Sequence, residues 1–104
     1  MKCYLVANVV ITDPERFAEY REKVPALISQ YEGQYVVRAG AVHPLKGELG
    51  IERLIMLEFA SLDAARRFYY SAEYAPLPKL RRETTRSQVA FIEALGREYV
   101  TGVE

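Results

Sequence analysis

The sequence is poor in the residues that most often build redox and metal sites. It contains one cysteine, Cys3, one histidine, His43, and no tryptophan. A single cysteine excludes an intrachain disulfide and a cysteine-based cluster, and a lone imidazole would need carboxylates as its fellow metal ligands. The glycines match no phosphate-loop spacing either. We therefore expect no bound metal and no organic cofactor, including haem.

Charge of one sign is also lacking, because 14 lysines and arginines balance 14 aspartates and glutamates. General binding to nucleic acid or to anionic membranes requires a basic surplus, so we expect neither partner. No apolar run approaches the ~20 residues that span a bilayer. Since the start, MKCYLVANVVIT, has no signal-peptide pattern, the single cysteine predicts a cytoplasmic protein.

The predicted elements follow the order β-α-β-β-α-β in one domain, residues 1–95, with a polar tail at 96–104. Val- and Ile-rich or alternating segments predict strands at 4–11, 34–41, 52–59 and 88–93. A helical stripe predicts a helix over 14–31, a cap at Ser61 begins a second, and residues 79–86 form a short third one. This order predicts an α+β, ferredoxin-like monomer with a four-stranded antiparallel sheet.

Three local signals bear on the first helix. Either Thr12 or Asp13 caps its start, and Gly33 favours its stop. Pro25 lies inside the apolar stripe, so we expect a kink or a short break near residues 21–25.

Alternation along the strands predicts two unlike sheet faces. The odd-numbered positions are almost all apolar and should lie under the helices. The even-numbered face should be solvated, yet its centre is apolar: it combines Val6, Val36, Leu54, Met56 and Ala90. Such a patch is larger than monomers usually expose. We expect a second copy to cover it, giving a homodimer formed through the sheet.

Arg38 and His43 are the candidate catalytic residues. By parity Arg38 lies on the even face, where a covered guanidinium needs a partner. It either clamps an anionic ligand or pairs with Glu52 or Glu58, of the same copy or of the partner across the dimer. His43 is the one imidazole available as a general base, or else a solvated loop residue.

The remaining candidate ligand contacts are tyrosines and scattered polar groups. Tyr20, Tyr69 and Tyr74 either line a pocket between helices and sheet or are core aromatics whose hydroxyl groups reach solvent. Asn8 and Glu58 are polar groups on the otherwise apolar even face. A basic cluster is interpreted as a solvated helix face, with anion binding as the alternative; it comprises Lys79, Arg81, Arg82 and Arg86.

Two motifs carry a family resemblance. One is Thr12-Asp13-Pro14-x-x-Phe17-x-x-Tyr20, and the other is Glu58-Phe59-x-Ser61-x-x-Ala64-Ala65-x-x-Phe68-Tyr69-x-Ser71-x-Glu73-Tyr74. With Arg38-x-Gly40, they resemble a family of small bacterial proteins, domain of unknown function 1330, over about residues 2–95. The resemblance implies a dimeric α+β barrel and implies no activity. Related barrel families include cofactor-free monooxygenases, small-molecule isomerases and haem-degrading enzymes, but a shared fold is only an analogy.

Two functions stay open at this point. The first is binding or transforming a small apolar or anionic metabolite without a cofactor. The alternative is a non-catalytic dimeric assembly or stress-associated module. Whether the chain is an enzyme is left undecided, and a cavity with convergent polar groups would favour the first function.

Overall fold

The structure, a computed structural model, describes residues 1–95; the tail predicted at 96–104 lies outside them. The seven elements follow one another along the chain as β1 Cys3–Ile11, α1 Pro14–Gln30, β2 Gln34–Arg38, β3 Leu54–Phe59, α2 Leu62–Tyr69, α3 Leu77–Thr84 and β4 Thr85–Glu93. The strands form one antiparallel sheet in the order β2-β3-β1-β4. The predicted ferredoxin-like α+β fold is confirmed.

Two side-chain caps set the starts of α1 and α2. The backbone N–H of Arg16 donates to Asp13 Oδ1 over 3.3 Å, so Asp13 rather than Thr12 caps α1. The N–H of Ala64 donates to Ser61 Oγ over 3.0 Å, as the sequence predicts. Each cap satisfies a backbone donor that has no partner inside its helix.

Pro25 does not interrupt α1, so the alternative of a short break near residues 21–25 is wrong. Proline removes one backbone donor from the helix ladder. The residues on both sides are nevertheless held by burial, since Val24 and Ile28 are both buried in the core. Packing of this stripe therefore keeps the two halves of α1 in one helix.

Gly33 follows α1 where the chain passes close to the core. A Cβ placed on Gly33 would lie 2.7 Å from Phe59 Cε1 and 3.0 Å from Ile28 Cγ2. The positive φ of the turn falls on Glu32, at 62°, and not on the glycine. Gly33 is therefore required for room rather than for its backbone conformation.

β2 contains a bulge that the sequence pattern did not predict. Tyr35 pairs with Leu57, whereas Val37 pairs with Met56 and Arg38 with Ile55, so one extra residue stands at Val36. A bulge reverses the parity of every residue that follows it. Arg38 consequently shares the helix-covered face with Ile55, and its predicted place on the opposite face is wrong.

The two faces of the sheet differ in their cover. On one face, α2 and its neighbours bury a core that includes Leu57, Phe59, Phe68 and Tyr74. The other face, called here the outer face, has no element over it within residues 1–95. Val36 and Ile92 are 52% and 53% exposed there, and Met56 and Leu54 are half-buried.

Candidate functional site

A cavity of about 80 Å³ opens between α1 and the helix-covered face of the sheet. One water needs only ~10–15 Å³, so the space is large enough for a small organic group. Its wall is mostly apolar and aromatic; it is formed by Leu5, Ala7, Val9, Phe17, Tyr20, Arg21, Val24, Ile28, Tyr35, Arg38, Arg53, Ile55, Leu57, Phe68, Tyr74, Arg81 and Val89. The polar members of this wall are tyrosines and arginines only.

The buried end of the cavity is a network of hydroxyls around Arg81. Arg81 Nη1 donates to Tyr74 Oη over 3.1 Å, and Nη2 donates to Tyr69 Oη over 3.0 Å. Tyr74 Oη lies 2.8 Å from Tyr20 Oη. Three helices and one connection meet here: Tyr20 is on α1, Tyr69 ends α2, Tyr74 lies between α2 and α3, and Arg81 is on α3.

Burial sets the charge state of this end. Burial, followed by the neighbouring Tyr20 hydroxyl, raises the pKa of Tyr74 well above its ordinary value. Burial alone would lower the pKa of Arg81, but its hydrogen bond to Tyr69 and the Tyr74 hydroxyl outweigh that effect, and the pKa is raised. At neutral pH the network therefore holds a protonated phenol and a charged guanidinium, which stabilise negative charge rather than abstract a proton.

The open end of the cavity carries three more arginines. Arg21 and Arg38 are exposed and Arg53 is half-buried. Two of them rest on aromatic rings: the guanidinium carbon of Arg38 lies 4.4 Å from the centroid of Tyr35, and that of Arg21 lies 5.2 Å from Phe17. Cation–π contacts of this kind position a guanidinium without using its N–H donors.

These arginines repel one another and no carboxylate offsets them within residues 1–95. Burial, then the cations of Arg21 and Arg38, lowers the pKa of Arg53. No aspartate or glutamate lines the cavity, and none lies within ion-pairing distance of the three guanidinium groups in the described part of the chain. The result is a positive mouth on an apolar cavity.

Some of the residues predicted from the sequence meet at this cavity. Tyr20, Tyr74 and Arg38 line it. Tyr69 does not, but it accepts a hydrogen bond from the wall residue Arg81. Within residues 1–95 of one copy, Arg38 does not pair with Glu52 or Glu58; pairing across a dimer stays a prediction.

Asn8, Glu58 and His43 lie elsewhere. Asn8 holds the β2–β3 loop through Gly50 O and the N–H of Glu52, at 2.8 and 3.0 Å. Glu58 accepts from Lys2 Nζ and Tyr4 Oη, at 3.3 and 3.2 Å. His43 is exposed in the same β2–β3 loop and is not part of the cavity wall.

The largest error of the sequence interpretation is the predicted exposure of Arg81. It belongs to the predicted solvated cluster, yet it is only 8% exposed. The signal was its spacing: Leu77, Arg81 and Thr84 recur at helical intervals and form the buried face of α3. Arg21 and Arg53 were also missed, although Arg21 stands at helical spacing between the buried Phe17 and Val24 and Arg53 is an odd-numbered residue of the predicted strand 52–59.

Two kinds of feature are absent from residues 1–95. They hold no group of three or more histidine, cysteine, aspartate or glutamate side chains arranged to bind a metal ion. None of their helices has the length and apolarity to cross a membrane. The expectation of no cofactor stays a prediction.

Comparisons with known proteins identify the family and the fold of the chain but no activity. The family model described as Domain of unknown function (DUF1330) matches residues 2–95. No curated protein matches the chain.

Solved structures similar to the chain share its architecture at low identity. A protein of unknown function from Rhodopseudomonas palustris superposes with a TM-score of 0.72 at 15% identity, covering 91% of this chain and 83% of that one. A cofactor-independent oxygenase from Streptomyces nogalater gives 0.63 at 16%, covering 91% and 94%. A candidate antibiotic biosynthesis monooxygenase from Caulobacter crescentus gives 0.56 at 17%, covering 91% of each chain.

Proposed function

The chain belongs to the family Domain of unknown function (DUF1330), and on that premise we propose that it binds a small apolar compound carrying an anionic group. The observation behind this proposal is the positive mouth: Arg21, Arg38 and Arg53 border an apolar cavity whose wall has no acidic side chain. Guanidinium groups recognise carboxylates and enolates through paired N–H donors.

Arg38 is the proposed anchor for the anion. Its guanidinium is stacked over Tyr35, so its position is set before a ligand arrives, which reduces the entropy lost on binding. Its pairing with Ile55 aims it at the helix-covered face and hence at the cavity. An apolar body would then pack against neighbouring wall residues such as Val24 and Phe68.

Binding is better supported than proton-abstraction chemistry. A general base near neutral pH is usually a histidine or a carboxylate, and the cavity wall of the described chain has neither. Tyr74 stays protonated because burial raises its pKa. The oxygenase from Streptomyces nogalater shares the fold only, at 16% identity, so its activity is not carried over.

The test compares an acid with its neutral amide. 4-Isopropylbenzoate and 4-isopropylbenzamide have nearly the same shape and differ in charge. We expect the acid to bind at least about tenfold more tightly by calorimetry, the usual gain from a charge-assisted hydrogen bond. Arg38→Met should remove most of that preference, and Arg67→Met, an exposed arginine on α2 outside the cavity wall, should leave it unchanged. Equal binding of acid and amide would contradict the proposal.

We also propose that a second copy covers the outer face of the sheet. The support is a sheet face that no element of residues 1–95 covers; Val36 and Ile92 are more than half exposed on it, and Met56 and Leu54 extend its apolar area. The β2 bulge enlarges this area, since Val37 pairs with Met56 and joins the outer face.

Sedimentation tests the dimer. We expect the chain to sediment as a dimer at micromolar concentration and Val36→Asp to shift it to monomer, because an aspartate buried in an apolar contact has no partner. The matched control is Tyr70→Asp, which places the same charge on an apolar residue that is 73% exposed beyond the end of α2. A monomeric native chain would contradict the proposal.

A further inference from the structure

The buried end of the cavity has more hydrogen-bond donors than acceptors. Arg81 can only donate, and it uses Nη1 on Tyr74 and Nη2 on Tyr69. The Nε–H of Arg81 is buried and has no acceptor within residues 1–95. Both hydroxyl oxygens therefore already accept from a cation, and their own protons must go elsewhere.

One hydroxyl proton is left over whichever way the tyrosine pair is arranged. Tyr20 Oη and Tyr74 Oη are 2.8 Å apart, so one donates to the other. If Tyr74 donates, the Tyr20 proton has no acceptor among residues 1–95; if Tyr20 donates, the Tyr74 proton has none there. Both residues line the cavity, and no carboxylate or amide side chain in its wall takes up the spare proton.

We infer that the inner end of the ligand bears a hydrogen-bond acceptor oxygen without a proton of its own, such as a ketone or enolate oxygen. This inference rests on the proposed function, which places an anionic group at the mouth. Together they define the ligand class as a small keto acid: a carboxylate at Arg38, an apolar body between, and an oxo group at Tyr20 and Tyr74. A hydroxyl or amine at the inner end would bring another donor to a site that already has a surplus.

The test uses two benzoates of matched shape. 4-Acetylbenzoate and 4-isopropylbenzoate carry the same carboxylate, and the second replaces the carbonyl oxygen with a methyl group. On the native chain we expect 4-acetylbenzoate to bind about tenfold more tightly by calorimetry, the effect of one satisfied buried donor. This comparison needs no variant and so does not depend on any substitution folding.

A double variant locates the donor. Tyr20→Phe combined with Tyr74→Phe removes both hydroxyls, and the preference for 4-acetylbenzoate should disappear, whereas Tyr70→Phe, an exposed tyrosine outside the wall, should retain it. Equal binding of the two benzoates by the native chain, or a preference that survives the double variant, would overturn the inference and leave the proposed anion site intact. If neither benzoate binds the native chain, the proposed function fails and this inference falls with it.

Discussion

The two ends of the cavity place the same residue type in opposite surroundings. At the buried end, Arg81 is 8% exposed and donates to the Tyr69 and Tyr74 hydroxyls. At the open end, Arg38 and Arg21 are exposed and rest on aromatic rings, with no acidic partner in the described part of the chain. Arg81 is therefore part of the folded structure, whereas the mouth arginines make no ion pair within residues 1–95 and could offer their N–H donors to the proposed ligand.

This contrast teaches that the number of arginines around a cavity says less than their partners. A guanidinium whose N–H groups are already used stabilises the fold and shapes the wall. A guanidinium held only by an aromatic face is positioned but unsatisfied, which is the condition of a binding group. Substitutions at the two ends of the cavity test this division.

Arg81→Met should be the most destabilising change, lowering the free energy of unfolding by about 2–3 kcal/mol. It removes two charge-assisted hydrogen bonds inside the core and leaves the Tyr69 and Tyr74 oxygens without their donor. Urea unfolding measures the loss. Arg82→Met, the exposed neighbour on α3, is the control and should change little. A loss below about 0.5 kcal/mol would show that the cost of burying the cation cancels its hydrogen bonds.

Tyr74→Phe should have the next largest effect, about 1–2 kcal/mol. The ring and its packing on Phe68 are kept, but Arg81 Nη1 and the Tyr20 hydroxyl each lose a partner. The same unfolding experiment measures it, with Tyr70→Phe as the exposed control. A stability equal to that of the native chain would mean that water replaces the missing hydroxyl.

Arg38→Met should alter stability by no more than about 0.5 kcal/mol, since it removes one cation–π contact and no hydrogen bond within residues 1–95. A loss above about 1 kcal/mol would place Arg38 with Arg81 among the structural arginines and would contradict the division. The unfolding of Arg38→Met and Arg81→Met should be measured side by side for that reason.

The smallest expected effect on stability comes from an arginine in a third kind of surrounding, exposed and paired with a carboxylate. Arg16 Nη2 donates to Glu83 Oε1 over 2.7 Å and links α1 to α3. This hydrogen bond lowers the pKa of Glu83 below its ordinary value of 4.5. A carboxyl with a lowered folded-state pKa adds stability above its unfolded-state pKa and loses it as the pH falls through the folded-state value.

Glu83→Gln measures that contribution. The native chain should exceed the variant in stability by a small margin at pH 7; the margin should shrink as the pH falls below the ordinary glutamate value of 4.5 and vanish once the carboxyl is protonated in the folded chain as well. A margin that is unchanged at low pH would show that Glu83 acts through packing rather than charge.

The sequence predicted the fold well where a single regular pattern covered a whole element. Apolar residues recur at helical spacing throughout α1, and β-branched residues are frequent throughout β1. The structure confirms a helix and a strand at these two places. The cap at Ser61 was also correct, because the hydroxyl and the backbone donor that it satisfies lie three residues apart. Local chemistry of this kind is visible in the chain without its neighbours.

The site was predicted only in part because it depends on two non-local features. Arg38 was assigned to the wrong face since a bulge is defined by pairing with β3, which the β2 sequence does not contain. Arg81 was assigned to solvent because its burial requires tyrosine hydroxyls that come from α2 and the segment after it. Tyr20 and Tyr74 line the cavity, and Tyr74 is also part of the core, so the two alternatives left open by the sequence are not exclusive; the hydrogen bond between them is set by tertiary packing.

The bulge at Val36 also limits how relatives can be compared with this chain. Because it adds one residue to β2, a homologue lacking it would carry its cavity-facing side chain one position earlier, where this chain has Val37. Matching columns by residue count would then pair a wall residue with one on the outer face. Equivalent positions in such proteins are those that pair with the same β3 residue, here Ile55. A homologue should therefore be searched for an arginine that pairs with its counterpart of Ile55, not for an arginine in the alignment column of Arg38.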